Sequence, residues 1–205
     1  MQPELVLASG SPRRRELLRS LGVPFSVHPS SVTEEVPGNP FPGELVEILA
    51  AKKALGVAHT RNHALVIGSD TVVSLKGNIL GKPKSVRDAI CMLESLQGNA
   101  HQVYTGIALV EVEKGRVSRR LIHHRVTEVM VRNMDRREIE WYVATGEPMD
   151  KAGAYGLQGI GSMWVDWIDG CYTNVIGMSL PLLYDMLKEL DYPFSHRNLN
   201  PENKA

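Results

Sequence analysis

The chain has no surplus of charge: 23 Lys and Arg balance 23 Asp and Glu over 205 residues, for a formal net charge of zero. Without a global basic field there is nothing to hold a nucleic-acid backbone along a broad face, so no nucleic-acid partner is expected, although a local anion site stays open. Cysteine is scarce. Cys91 and Cys171 belong to no C-x-x-C or His-rich set, which removes a zinc site and a disulfide framework and leaves both as packing residues. No run of about 18 apolar residues occurs, so no membrane partner is expected. The stretch from Met1 to Leu7 carries Pro3 and Glu4 where an export signal has a basic start and a long apolar core, making the cytoplasm the expected location. Internal repeats, low-complexity tracts and linkers between independent domains are also missing.

What is there suits one globular unit of one or two lobes: 43% of residues are hydrophobic and 22% charged. The expected domain covers 1–192. After it, the almost purely polar SHRNLNPENKA at 195–205 makes 193–205 an expected flexible tail. An apolar strand at Glu4–Ala8 leads through Ser9-Gly10-Ser11 to a helix with Ser11 as N-cap, Pro12 in its first turn and Leu17, Leu18 and Leu21 on its apolar face. A second helix spans about Glu44–Ala58, with Leu45, Ile48, Leu49 and Leu55 on one side. Ala64–Gly68 reads as a short buried strand delivering Ser69-Asp70-Thr71 at its end.

Further along, Lys76-Gly77-Asn78 reads as a turn, and Ser85 with Asp88 resembles a capping box for a helix through Leu96. Two strands, His101–Val112 and Arg119–Val131, flank a Lys114-Gly115 turn. Asp135 and Glu138 open another helix, a strand follows at Met163–Ile168, and a last helix spans Leu180–Leu190. Helices and strands alternate early and strands cluster in the middle, which gives an α/β class with a mixed sheet.

Three arginines, Arg13 to Arg15, stand where a helix begins, although the helix dipole places positive potential there. Free N–H groups and guanidinium groups together make a candidate phosphate site, a capped surface helix with solvated arginines being the alternative. No P-loop and no G-x-G-x-x-G fingerprint is present. Asp70, closing an apolar strand, stands where open α/β sheets bind ligands; a buried Asp capping a turn is the competing reading. Lys53 and Lys82 are weak signals alone. Asp150, Lys151 and Gln158 belong to a glycine-rich stretch whose backbone can approach a planar ligand. His123 and His124 face opposite sides of a strand and cannot share a metal, and Trp164 and Trp167 read as core or interface.

Taken together, Leu7-Ala8-Ser9-Gly10-Ser11-Pro12-Arg13-Arg14, Ile67-Gly68-Ser69-Asp70-Thr71, Gly81-Lys82-Pro83, Tyr104-Thr105-Gly106 and the long block from Gly146 to Gly159 resemble the signature blocks of the Maf family, in order and spacing, over about Leu5–Leu190. The resemblance implies an elongated, two-lobed single α/β domain with a mixed twisted sheet and a central cleft, similar to inosine triphosphate pyrophosphatases. It also implies an intracellular nucleoside triphosphate pyrophosphatase of the dTTP/UTP branch that removes non-standard nucleotides. Arg13, Thr71 and Gln158 fit that branch. The alternatives are a 7-methyl-GTP pyrophosphatase and a division regulator that binds nucleotide without turnover.

By position, the resemblance implies that Ser9, Arg13 and Arg14 contact phosphates, Lys53 and Lys82 hold the triphosphate, Arg13 and Gln158 bear on base choice, and Thr71 belongs to the substrate site. Asp70 is implied as base or metal-linked carboxylate, assisted at a divalent cation, Mg²⁺ or Mn²⁺, by Glu34, with Glu35 as the neighbouring alternative. Lys53 is preferred to Lys52 because it directly precedes Ala54. A homodimer is expected from the family and the apolar strand at 163–168. Two departures stand out: Ser69 replaces a common Ala, and Gly177-Met178-Ser179 replaces Gly-Leu-Pro, where Ser179 can cap the last helix.

Overall fold

The structure is a computed structural model that describes residues 3–193; the expected tail, apart from Pro193, lies outside the described residues. Seven strands of the described residues form one sheet: β1 (Glu4–Leu7), β2 (Ser26–Val27), β3 (His63–Leu75), β4 (Asn78–Leu80), β5 (Ala100–Glu113), β6 (Arg116–Val131) and β7 (Val165–Asp169). Their order is β2-β1-β3-β5-β6-β7, with β4 beside β3. β1 runs parallel to β2 and β3, and the remaining pairs are antiparallel, so the sheet is mixed as the sequence pattern implies. Among the described residues six α-helices cover it: α1 (Pro12–Arg19), α2 (Pro42–Ala58), α3 (Val86–Leu96), α4 (Arg136–Ala144), α5 (Tyr172–Ile176) and α6 (Leu180–Glu189). None of the described helices is long and apolar enough to cross a membrane.

Side chains alternate across a strand, and that alternation divides the core. Leu5, Leu7, Leu65, Ile67, Ile107 and Leu109 face α1 and α6, whereas Val6, Ala64, Val66, Ala108 and Val110 face α2. Beyond Asp70, β3, β5 and β6 run on into a second apolar cluster, where Val73, Val103 and Val129 pack beneath α3, α4 and the buried Trp164. One continuous sheet thus supports two lobes.

The face that α2 buries differs from the expected one. Val46, Leu49, Ala50, Ala54 and Val57 are buried, while Leu45, Ile48 and Leu55 are only partly covered. Apolar residues run nearly all round this helix, so periodicity alone selects no face. Close approach decides it: a Cβ on Gly68 would lie 2.1 Å from the Ala50 carbonyl oxygen, and one on Gly106 would lie 2.3 Å from that of Val46.

Other boundaries shift as well. The strand expected to stop at Gly68 continues to Leu75, which puts Asp70 in its middle. β7 begins at Val165, and Met163 belongs to a short 3₁₀ segment, Ile160–Trp164. Ser85 caps α3, but the Asp88 carboxylate accepts from the Lys84 N–H instead of closing a box on Ser85. Cys91 is exposed on α3 and so is not the expected packing residue, while Cys171 is half-buried. Trp164 is core, and Trp167 is 43% exposed on β7.

Candidate active site

β1 stops opposite Ile67, and β4 joins β3 only at Val73. Between those points the edge of β3 from Gly68 to Val72 has no strand partner among the described residues, and a cleft of about 410 Å³ opens there. Asp70 owes its access to this gap in the sheet edge and not to a strand end. The alternation of side chains sends Asp70 toward α2 and Ser69 and Thr71 toward α1 and α5.

On the α2 side, Lys53 Nζ donates to Asp70 Oδ1 at 2.5 Å and pairs with Glu34 Oε1 at 2.7 Å. The hydrogen bond from Lys53 holds the Glu34 carboxyl below its usual range. The neighbouring pair is built differently: Lys52 Nζ donates to the backbone carbonyl of Glu35 at 2.7 Å, and neither residue lines the cleft. Lys53 stands over Asp70 because α2 lies so close to Gly68 that Ala54 packs directly on the strand.

On the other side, β1 delivers the chain to the start of α1, where the Ser11 hydroxyl accepts from the Arg14 N–H. Arg14 turns inward. Its guanidinium donates to Gly177 O at 2.9 Å, Thr71 Oγ1 at 3.2 Å and Ser9 Oγ at 3.3 Å. Burial pushes its pKa down, and the Asp70 charge opposes that. Thr71 also meets Thr105 Oγ1 at 2.9 Å, and Thr105 donates to Asn174 O at 2.8 Å, which ties α5 to the site. Arg13 reaches across the cleft and donates to Asp150 Oδ2 at 2.8 Å, while Lys151 donates to Asp150 Oδ1 at 2.8 Å. Lys82 and Gln158 stand at the exposed rim, and Arg15 points to solvent.

Ser9, Arg13, Arg14, Glu34, Lys53, Asp70, Thr71, Lys82 and Gln158 therefore converge on one region, with Ser9 in the adjoining hollow at the start of α1. The sequence gives no site role to Thr105, Tyr155 or Gly177, although each lies in a quoted stretch, and Asn174 lies in none. A hydroxyl in an otherwise apolar strand is the signal available for Thr105; the others carry none that periodicity reads.

Glu34 and Asp70 offer hard oxygen ligands on a shared ammonium, and no cluster of three His, Cys, Asp or Glu suited to a metal exists among the described residues. Such a donor set fits Mg²⁺ or Mn²⁺ held by one or two carboxylates together with substrate phosphates, and not a cage made by protein alone. Chemically, the cleft offers a nearly buried carboxylate, 8% exposed, among cationic groups from α1, α2 and the β4–α3 connection. This arrangement binds a polyanion and can accept a proton beside it.

The chain is 48% identical to a protein of Pelotomaculum thermopropionicum named dTTP/UTP pyrophosphatase, over 92% of this chain and 97% of that one. It is 50% identical to one of the same name from Gloeobacter violaceus, over 93% of this chain and 98% of that one. The fold is similar to that of the Staphylococcus aureus Ham1 protein, with a TM-score of 0.52 at 16% identity, over 91% of this chain and 99% of that one. The model of the Maf-like protein family matches residues 4–190. With that match spanning both lobes and the whole cleft, the chain belongs to the Maf family.

Proposed function

We propose that this protein is a nucleoside triphosphate pyrophosphatase acting on dTTP and UTP, cleaving between the α- and β-phosphates to give a nucleoside monophosphate and pyrophosphate. The observation that carries this reading is the grouping of Asp70 with Arg13, Lys53 and Lys82, from three separate segments, at one unpaired stretch of strand edge. The names of relatives at 48% and 50% identity support the substrate class.

A triphosphate repels an incoming oxygen nucleophile, so cations must screen it as charge develops on the leaving group. In this reading the start of α1 and Ser9 receive phosphate oxygens, and Arg13, Lys53 and Lys82 neutralise them. Arg14, engaged with Ser9, Thr71 and Gly177, holds the α1 end against β3 and adds its charge. Lys53 fixes Asp70 through Oδ1, leaving Oδ2 to take the proton of the attacking water. Glu34 and Asp70 would hold a divalent cation, which supplies Lewis-acid stabilisation of phosphate charge when bound. Arg13 and Gln158 bear on base choice, since a pyrimidine edge needs fixed donors and acceptors, and Thr71 lines the substrate cleft. The exposed Trp167 on the edge strand β7 supports a homodimer.

The test is a panel of nucleoside triphosphates, including 7-methyl-GTP, with Mg²⁺ or Mn²⁺. Pyrophosphate release is expected from dTTP and UTP ahead of the others. Release of inorganic phosphate, or none from dTTP and UTP, overturns the reading.

A further inference from the structure

The stretch that carries Gln158 is held at two points. Residues 156–161 include Gly156, Gly159 and Gly161, and Gln158 itself is exposed, its side chain making no hydrogen bond among the described residues. Before it, Leu157 packs against the core shared by α1 and α6. After it, the Glu147 carboxylate accepts from the Ile160 N–H at 2.9 Å and the Gly161 N–H at 3.0 Å. The same carboxylate accepts from the Tyr142 hydroxyl at 2.9 Å, and Tyr142 is fully buried on α4. The anchor is therefore fixed to the second lobe while Leu157 is fixed to the first. Gly159, at φ 87°, permits the approach, since a Cβ there would stand 2.7 Å from Glu147 Oε2. Glu147 does not line the cleft.

We infer that Glu147 is a positioning residue for nucleobase selection: it anchors the chain two residues beyond Gln158 and so fixes where that amide stands. The inference rests on the reading of Gln158 as a base contact. A glycine-rich loop freed from its anchor gains many conformers, and a side-chain amide then presents its donor and acceptor at no fixed place. Asp70 and Lys53, where the phosphate chemistry is placed, make no bond to the anchor. Its loss should therefore be felt in nucleotide binding and base preference more than in turnover.

The test compares Glu147→Gln, which keeps the volume and removes the charge, with Gln158→Ala and the unaltered enzyme on UTP, CTP and ATP. Glu147→Gln is expected to raise KM for UTP about tenfold, the scale of one hydrogen bond to a charged group, with kcat nearly unchanged and the preference for UTP narrowed. Equal losses on all three nucleotides, or a fall in kcat at constant KM, overturn the inference. If Gln158→Ala narrows the preference and Glu147→Gln does not, the anchor fails alone; if neither does, the base-reading role of Gln158 fails and the anchor with it. Should Glu147→Gln not fold, Gly159→Ala disturbs the same contact from the other side and is expected to narrow the preference likewise; an unchanged preference there overturns the inference.

Discussion

A methyl group on Gly68 would stand 2.1 Å from the carbonyl oxygen of Ala50 and 2.8 Å from the amide nitrogen of Ala54. Both are backbone atoms of α2 and cannot step aside singly, so Gly68→Ala must push the whole helix off the sheet. The expected cost is at the upper end of overpacking, about 3 kcal/mol or more, read from urea denaturation. Turnover should fall as well, because Lys53 rides on the displaced helix. Gly77→Ala is the contrast: it sits at φ 84° with open space around it, and should cost about 1 kcal/mol of stability without touching turnover.

Asp70→Asn keeps the shape and most of the hydrogen-bonding capacity of the side chain while removing its ability to take a proton. Turnover is expected to fall by about 10²–10⁴-fold, the usual contribution of a positioned general base. Nucleotide affinity, measured by calorimetry, should change far less, because Glu34 still holds Lys53 at 2.7 Å. Near-normal turnover would remove Asp70 from the role of base.

Much of this arrangement is legible in the sequence because it depends on local patterns. Ser11 before Pro12 marks the start of α1, and Asp135 with Glu138 forms the capping box of α4 as their spacing implies. What the sequence conceals is non-local. Asp70 reads as a strand end because Ser69-Asp70-Thr71 interrupts an apolar run, yet the strand continues and it is the neighbouring β1 that ends. The buried face of α2 was hidden for a related reason, since Gly68 and Gly106 on two other strands choose it. Periodicity reports one element at a time, and these features belong to pairs of elements.

In the proposed reading the pair between Arg13 and Asp150 competes with substrate, because it occupies a cation assigned there to the phosphates. Burial pushes the Asp150 carboxyl up, but hydrogen bonds from Lys151 and Arg13, with their charges, outweigh it and set the pKa at about 2 against the ordinary 3.8. A depressed carboxyl contributes its interaction above the unfolded value and loses it as pH falls through the folded one, so the pair is intact at neutral and mildly acid pH. Asp150→Asn should lower KM for UTP by up to about fivefold, the range of an exposed ion pair. The gain should shrink as sodium chloride is raised. A KM that rises, or a gain indifferent to salt, would show that Asp150 orients Arg13 instead of detaining it.

The last expectation concerns the floor of the cleft, where Tyr155 is held by His101 Nε2 at 2.7 Å. His101 is 2% exposed, and only the Asn99 backbone offers its ring a contact that favours a proton, too little to offset burial. Burial lowers its pKa from 6.5 to about 4. Between those values the unfolded chain binds the proton and the folded one does not. Stability is therefore full above about pH 6.5 and drains away as pH falls toward 4, by about 3 kcal/mol if the whole difference is realised. His101→Gln, which keeps a group able to bond the Tyr155 hydroxyl, should flatten the dependence of unfolding free energy on pH across that interval, even if it costs stability at pH 7. An unchanged slope from urea titrations at pH 4.5, 5.5, 6.5 and 7.5, chosen to span about that range, would assign the acid sensitivity to other groups.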